Sequence, residues 1–500
     1  MKLELVKLDE PDLQFATGSS SSPKEGLLAY GPYSLELGAA HPARVRVGLV
    51  GPPEAVASAR MFLQRCRKVV PSGLPDSLLA PEFPGFWDAF HSDLTTDPVF
   101  DSEIDSDVFT QAMSGKSADA FAATLALIDD HVAQVVERDV RPDVVAVCIP
   151  SEVRQKIGQV EFPRPRTSAR GRGRRTRQPV RQTGQIAMFD LGEQDETIEA
   201  ASLPDPTDLT RRDFRRALKA AAMRHLVPIQ ILTPGLFEEG RRRQQDAATR
   251  AWNLSVALFY KAGGIPWRIT PEQEHTCFVG VSFHHLRTAD RHVVYSSLAQ
   301  AFSTEGDGFA LRGSAMPWDE RDKQVHLTEA DMRDLLGRVL TAYRDRTGRD
   351  PLRVVVHKTT EFDDGETRGA RTALRDIPIV EMLALRSGDF RLVRQGGYPP
   401  DRGMVARIGG AQFLFTGGFM PSLRTYPGPH IPVPLELVAR EEIDGELAAR
   451  DVLSLTKMNW NSAASWASFP ITLSFARQVG AIMSEVPPTE TPHPAYRFYM

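Results

Sequence analysis

Cysteine is scarce in this 500-residue chain, which contains only Cys66, Cys148 and Cys277. They lie far apart and form no CxxC or Cys/His pairing, which excludes a disulfide framework and a cysteine zinc site. No apolar run is long enough to span a membrane, and the N-terminus lacks a signal-peptide core. The sequence therefore predicts a soluble, cytoplasmic protein with no membrane partner.

Net charge is also small. At −4 it excludes a general attraction to nucleic acid, so any nucleic-acid surface must be local. The hydrophobic fraction of 42% is ordinary for a globular protein, and the length predicts two or three domains.

The first half of the chain reads as an α/β unit. Arg44–Val50 alternates like a strand and runs into a helical segment. A long helix follows, and Asp143–Pro150 is a nearly continuous apolar run, typical of a buried parallel strand. This order predicts a small doubly wound domain. The apolar face of the long helix consists of Phe121, Leu125, Ile128, Val132 and Val135.

The composition then changes abruptly. Phe162–Arg181 carries eight arginines and no acid, and Met188–Pro206 is acidic. One-signed charge with Gly and Pro argues against a packed core. Two interpretations stay open for this insert, which covers about residues 160–205: a disordered solvated segment, or a basic arm that meets phosphate.

Order resumes at Thr210, where TRRD resembles the start of a helix. Arg211, Arg215 and Lys219 are spaced by four, which predicts one positive stripe along that helix. The next strand, VPIQIL, has a glutamine in its middle, and a later helix ends in a lysine just before Gly263–Gly264. That lysine by itself also fits a simple helix-capping role. Together these elements make a phosphate pocket possible; its members would be Arg215, Lys219, Gln230 and Lys261.

The second half predicts a larger α/β domain with a mixed sheet. Its helix begins at a Thr-x-x-Asp sequence and spans Thr328–Tyr343. The predicted strands are Thr276–Phe283, Val293–Leu298, Arg353–His357, Ile379–Ala384 and Phe390–Arg394.

Other polar groups favour structural interpretations. The adjacent His284 and His285 point to opposite faces of a strand and have no third ligand nearby. Ser465 is in no nucleophile elbow, and Trp460 and Trp466 fit core or partner-facing positions. A solvated turn is the default for the acidic cluster Glu361, Asp363, Asp364 and Glu366.

Several segments in this order resemble the short prokaryotic Argonautes, which consist of a MID and a PIWI domain without PAZ. The segments are LLAYGPYS, FRRALKAAAMRHLVPIQIL, NLSVALFYKAGGIPWRI, VGVSFHH, HKTTEFDDGE, TKMNWNSA, FPITLSFARQVGAIM and RFYM. The resemblance implies an α/β fold with a Rossmann-like MID domain and an RNase H-like PIWI domain. It places an N-terminal segment packed on PIWI at residues 1–35, MID at 36–265 and PIWI at 266–500.

The resemblance also assigns the pocket. In Argonautes, MID holds the 5′-phosphate of a guide strand, and the matching positions are Arg215, Lys219, Gln230 and Lys261. Arg215 replaces the usual aromatic residue, which exchanges base stacking for charge pairing, although a guanidinium can also stack. The family further implies a Mg²⁺ ion at this phosphate, held by Gln230 and the carboxylate of Met500.

The RNase H-like domain needs carboxylates that hold two metal ions. At the corresponding positions this chain has Ser282, Lys358 and Asn461, which cannot form such a site. The resemblance thus implies a chain that is not itself an enzyme. Lys358 is expected either to touch the nucleic-acid backbone or to be solvated.

The expected function is that of a guide-RNA-binding subunit that recognises complementary single-stranded DNA of invaders. In this family it activates an APAZ-containing effector, either a sirtuin-like or TIR-type NAD-consuming enzyme or a nuclease, in prokaryotic immunity. Two alternatives remain: an active guided nuclease using Asp290, Asp363 and Asp364, and a scaffold that loads no guide.

Overall fold

The computed structural model describes residues 3–74, 77–161, 211–237, 245–270, 272–273, 275–286, 294–303, 308–317, 325–393, 396–397, 399–426, 431–464, 466–487 and 489–500. The arginine-rich insert Phe162–Arg181, the acidic segment Met188–Pro206, Thr210, Asp290 and Ser465 lie outside these residues.

The strands are, in chain order, β1 (Leu3–Lys7), β2 (Leu13–Gln14), β3 (Ser19–Ser20), β4 (Arg44–Gly51), β5 (Asp93–Thr95), β6 (Ser102–Glu103), β7 (Val144–Cys148), β8 (Gln159–Glu161), β9 (Arg211–Asp213), β10 (Ile229–Leu232), β11 (Arg268–Ile269), β12 (Thr276–Leu286), β13 (Val294–Ser303), β14 (Gly308–Pro317), β15 (Arg353–Lys358), β16 (Ile379–Ser387), β17 (Met404–Ile408), β18 (Ala411–Leu414) and β19 (Leu435–Ala439).

The α-helices are α1 (Pro23–Tyr30), α2 (Pro53–Cys66), α3 (Phe86–Phe90), α4 (Ser106–Ala112), α5 (Ser117–Val136), α6 (Ser151–Ile157), α7 (Phe214–Ala222), α8 (Pro234–Phe237), α9 (Ala247–Lys261), α10 (Glu329–Thr347), α11 (Asp364–Ala373), α12 (Gly445–Leu455), α13 (Ile471–Ser474) and α14 (Ala476–Met483). None of the described helices is long and apolar enough to cross a membrane.

A parallel sheet forms the small lobe, within residues 44–261. Its order is β10-β7-β4-β5, and β6 also pairs with β4. All of these pairings are parallel, and every residue of β7 is buried. Parallel strands covered on both faces by helices explain the continuous apolar run in the sequence.

A nine-stranded mixed sheet forms the large lobe, within residues 276–500 together with β1. Its order is β1-β17-β18-β19-β16-β15-β12-β13-β14. The central strands β12, β15 and β16 are parallel, and the flanking pairings are antiparallel. The predicted mixed sheet is therefore present, and the N-terminal strand β1 adds to its edge beside β17.

The structure corrects two predicted elements. Residues 390–393 form no strand, and the Phe390 ring instead packs edge-on against Phe413 at a centroid distance of 4.9 Å. The helix expected from Thr210 begins at Phe214, because the Asp213 carboxylate caps it by accepting the backbone N–H groups of Arg215 and Arg216. Arg211 accordingly lies in β9 and not on the helix, so the predicted three-residue stripe is wrong.

One hydrophobic core crosses the boundary between the lobes. It joins Val47 and Phe259 of the small lobe to Phe278 and Trp460 of the large lobe. The two lobes therefore share buried surface, which makes a contact between them part of the stable fold.

Candidate nucleic-acid interface

Lys261 and Gln230 meet inside the small lobe. Lys261 ends α9 and is only 1% exposed, and Gln230 lies within β10. The Lys261 ammonium group donates a hydrogen bond to the Gln230 side-chain oxygen. Sequence reasoning placed these two residues in one site, and the structure brings them into direct contact.

Lys219 reaches the same region from α7. It is 6% exposed, and its Nζ lies 3.5 Å from the main-chain oxygen of Tyr499, to which it donates. Met500 follows and is also buried, at 1% exposure. Arg215 lies one turn earlier on α7 and is partly buried.

Four elements close into a ring around these side chains. α7 packs against β10, and α9 packs against the turn Tyr496–Phe498 that precedes the chain end. We call the resulting site the lysine pocket, and define it by Lys219, Gln230, Lys261, Tyr499 and Met500.

Two glycines fix the position of Lys261 at the end of α9. Gly263 has a φ of +99°, a conformation that side chains disfavour. A Cβ on Gly264 would lie 2.4 Å from the ring of Phe259. Only glycine lets the chain turn sharply at this point, so the lysine is held at the helix terminus.

Sequence reasoning missed Arg497. A Cβ built on Gly263 would lie 3.4 Å from Nη1 of Arg497, so the guanidinium rests against the turn that follows Lys261. The only available signal was the arginine in the otherwise aromatic C-terminal segment RFYM.

Mg²⁺ takes oxygen atoms as ligands, and the Gln230 side-chain amide supplies one in the pocket. The Gln230 oxygen already accepts from Lys261, and one lone pair remains for a second partner. Gln230 thus offers a ligand atom of the type that the expected ion prefers, and the ion itself stays a prediction.

Ser282 and Lys358, expected at adjacent catalytic positions, lie on opposite faces of the large sheet. Side chains alternate along β12, and Gly280 faces α13, where a Cβ would meet the Thr472 carbonyl oxygen at 1.8 Å. Ser282 therefore shares the face of α13. Lys358, at the end of the adjacent parallel strand, packs against α11 on the other face.

Lys358 is 1% exposed, so the expectation of a solvated lysine is wrong, while a contact with the nucleic-acid backbone stays a prediction. Its Nζ lies 2.5 and 2.7 Å from the two carboxylate oxygens of Glu366 and 3.3 Å from Nδ1 of His326. Burial lowers the pKa of Lys358, and the charge of Glu366 opposes this effect.

Glu366 is likewise fully buried, so it does not belong to a solvated turn. Its oxygens also accept the backbone N–H groups of Leu327 at 3.0 Å and Asp363 at 3.1 Å. The carboxylate orders the start of α11 through a capping box with Asp363.

Among the described residues, ligand atoms of His326, Asp363 and Glu366 lie within 4.8 Å of one another, a spacing that could hold a metal ion. The Lys358 ammonium group already contacts two of these three residues. Asp364 of the alternative catalytic set is exposed and pairs with Arg440.

His357, which precedes Lys358, and Asn461, the third expected catalytic position, both make hydrogen bonds. His357, on the Ser282 face, bonds through Nδ1 to the Thr472 hydroxyl at 2.9 Å, and burial lowers its pKa to about 3. The backbone N–H of Asn461 donates to the Asn459 side chain at 3.0 Å.

The segments KAGGIPW and TKMNW, distant in sequence, interlock at the lobe boundary. The Trp267 indole donates to the Lys457 carbonyl at 3.0 Å, and the Trp460 indole donates to the Trp267 carbonyl at 3.1 Å. Both indoles are fully buried. Trp460 is therefore a core residue, one of the two roles that the sequence allowed.

Comparison with known proteins identifies this architecture. No protein-family model matches the sequence, and curated proteins give no match. Among solved structures, one similar to this chain is Clostridium butyricum Argonaute bound to a guide DNA and a 19-mer target DNA. The match covers 98% of this chain and 54% of that protein, with a TM-score of 0.61 and 13% sequence identity. A second is Aquifex aeolicus Argonaute with externally bound siRNA. This match covers 99% of this chain and 56% of that protein, with a TM-score of 0.56 and 12% sequence identity.

The chain thus spans about half the length of these proteins, 54% and 56%. At such low identity the likeness establishes the fold alone. It confirms the predicted α/β class with the Argonaute MID–PIWI architecture. The domain boundaries near residues 35 and 265 stay predictions.

Proposed function

We propose that this chain is a guide-binding subunit that holds the 5′-phosphate of a guide RNA in the lysine pocket. One observation carries the proposal: Lys219, Gln230 and Lys261 converge with the chain end in one buried site. A terminal phosphate carries nearly two negative charges, and lysine donates charge-assisted hydrogen bonds to it. Arg215, on the same helix as Lys219, adds a further cationic group nearby.

The paired strand would be complementary single-stranded DNA of an invader. Base pairing would supply sequence specificity, while the protein reads the guide end and the backbone. The fold favours a nucleic-acid partner, because the matching Clostridium butyricum protein is bound to a guide DNA and a target DNA.

A Mg²⁺ ion at the guide 5′-phosphate is part of the proposal. Gln230 and the Met500 carboxylate would hold it, and the bound ion would neutralise phosphate charge within the buried site. The lysines remain the groups that position the phosphate.

We further propose that the chain does not cleave its target, and instead activates an associated APAZ-containing effector in prokaryotic defence. Two features support the first part: Ser282 and Asn461 are not carboxylates, and the Lys358 ammonium is committed to Glu366. The effector, NAD-consuming or nucleolytic, follows from the sequence resemblance to short Argonautes. Target recognition without cleavage needs such a partner to have a consequence.

Copurifying nucleic acid provides the direct test. The purified protein should carry short RNA strands with 5′-phosphates. Its affinity for a synthetic RNA should fall sharply when the 5′-phosphate of that RNA is replaced by a hydroxyl group. Chelation of divalent ions should weaken the binding of the phosphorylated strand. Nucleic-acid-free preparations that ignore the 5′ end would favour the scaffold alternative.

A guided nuclease is the second candidate, and the cluster of His326, Asp363 and Glu366 is the observation in its favour. The loaded chain, free of any partner, would be incubated with complementary DNA and Mg²⁺ or Mn²⁺. We expect no product. Metal-dependent cutting that disappears in Asp363→Asn would establish the nuclease instead.

A further inference from the structure

Arg497 lies at the rim of the lysine pocket, in the short turn Tyr496–Phe498. Its Nη1 would be 3.4 Å from a Cβ on Gly263, which is two residues after Lys261. Lys219 donates to Tyr499, two residues after Arg497. The guanidinium is therefore flanked by the chain segments that hold the two pocket lysines.

The polar groups of Arg497 are incompletely satisfied. Its Nε is buried and has no hydrogen-bond partner among the described residues. Its recorded side-chain contact is a cation–π approach to Phe498, at 5.9 Å from the ring centroid. A buried N–H group without a partner costs roughly 1–3 kcal/mol, so such groups in native proteins call for an explanation.

The positive charge of Arg497 affects a neighbouring histidine. Burial first, and then the positive charges of Arg497 and Arg346, lower the pKa of His493. The imidazole packs against Phe498 at a centroid distance of 3.9 Å. An anionic ligand would satisfy both the charge and the donors.

We infer that Arg497 is an additional cationic ligand of the terminal phosphate group, and that it makes the site selective for strands ending in a phosphate monoester. This inference rests on the proposed guide-binding function. A guanidinium forms paired hydrogen bonds with two phosphate oxygens, which a lysine cannot do. Gly263, lacking a side chain, leaves room for the guanidinium beside the lysine.

The test compares two short RNAs of one sequence, one with a 5′-phosphate and one with a 5′-hydroxyl, against the whole chain stripped of nucleic acid. Arg497→Gln should weaken binding of the phosphorylated strand roughly 10- to 100-fold. Binding of the hydroxyl strand should stay within about twofold, so the preference for phosphate collapses. Arg497→Lys should recover part of that preference, because it restores charge but not the paired donors.

The matched control is Arg375→Gln, which removes the same charge from a side chain that is 77% exposed in the large lobe. It should leave both affinities unchanged. Equal weakening of both strands by Arg497→Gln would place the guanidinium on a backbone phosphate and overturn the inference, as would unchanged binding of both. A thermal unfolding curve identifies any variant that has lost the fold, and Arg497→Lys then decides.

The outcome also separates this inference from the proposed function. A wild-type chain that ignores the 5′-phosphate contradicts the function itself. If the wild type prefers the phosphate, depends on Lys219 and Lys261, and tolerates Arg497→Gln, only the role of Arg497 is wrong.

Discussion

Buried lysines in the two lobes have different surroundings. In the large lobe, Lys358 contacts both oxygens of the Glu366 carboxylate, and Lys457 lies 2.7 Å from Glu10. In the small lobe, Lys219 donates to a main-chain carbonyl and Lys261 to an amide oxygen. Both kinds of hydrogen bond orient an ammonium group, but the carboxylate also carries the opposite charge.

The difference separates two uses of one residue type. An ion pair inside a protein ties elements together at a large desolvation cost, and breaking it exposes that cost. An oriented ammonium group in a pocket is suited to an anion that arrives from outside. Lys219 and Lys261 lie where the proposed phosphate site needs them, whereas Lys358 is held in a buried ion pair.

The largest effect is expected at the lysine pocket. Lys219→Ala with Lys261→Ala should abolish loading of a 5′-phosphorylated guide, because each lost charge-assisted bond is worth roughly 1.5–3 kcal/mol. Together this predicts a loss of affinity of about 10²-fold or more, measured by filter binding and by copurifying RNA.

The control for this pair removes equal charge from exposed sites of the same lobe. Lys68→Ala with Lys116→Ala should bind like the wild type, since both side chains are solvated. Normal guide occupancy in the pocket variant would show that the phosphate lies elsewhere.

The second experiment breaks the ion pair of the large lobe. Lys358→Met leaves the buried Glu366 carboxylate without its cation, and should cost roughly 3–5 kcal/mol of unfolding free energy. Lys358→Met with Glu366→Gln should recover much of this loss, because no unpaired charge remains. Chemical denaturation measures both variants, and guide affinity should change little in either. A Lys358→Met variant that loses guide binding but no stability would reverse the assignment.

A further buried charge of the large lobe can be followed by changing the pH. Asp451 pairs with Arg353 at 2.7 Å. Burial raises the pKa of Asp451 to about 6 from 3.8, despite this arginine. Between pH 3.8 and about 6, Asp451 of the folded protein therefore holds a proton that the unfolded chain releases. The stability from this group is complete below pH 3.8 and is lost as the pH rises through 6.

The difference between these two pKa values corresponds to about 3 kcal/mol of unfolding free energy. Asp451→Asn does not titrate, so the wild type should lose stability relative to this variant between pH 4 and pH 7. Thermal melts at matched ionic strength follow the difference. Parallel curves for the two proteins would mean that Asp451 is ionised throughout.

The smallest effect is expected where the lobes join. Trp460→Phe keeps a buried ring but removes the indole donor to the Trp267 carbonyl, and should cost about 1 kcal/mol. Denaturant titration should give a lower midpoint with an unchanged slope. A loss of several kcal/mol would indicate that the indole volume, and not its hydrogen bond, supports the joint.

Local patterns predicted most of the long elements. The buried run at β7, the apolar helical spacing in α5 and the threonine that caps α10 are properties of neighbouring residues. The residues alone made a pocket of Lys219, Gln230 and Lys261 possible, and the resemblance to short Argonautes supplied its assignment.

Tertiary context decided the rest. Phe390 carries the aromatic signal of a strand, but that ring packs on Phe413 and leaves no ladder. The partner of Lys358 is eight residues away on α11, and only folding shows that Glu366 points inward. Arg497 approaches Gly263 across more than 200 residues, a contact that no local pattern encodes.

The crossed indoles of Trp267 and Trp460 limit how this protein can be dissected. Each donates into the other's segment, and the core around them draws side chains from both lobes. Cutting the chain at residue 265 would expose this shared surface on both fragments, so neither half should fold well when produced by itself. Binding studies with an isolated N-terminal fragment would report on a damaged molecule, and the pieces would have to be coexpressed to restore the joint.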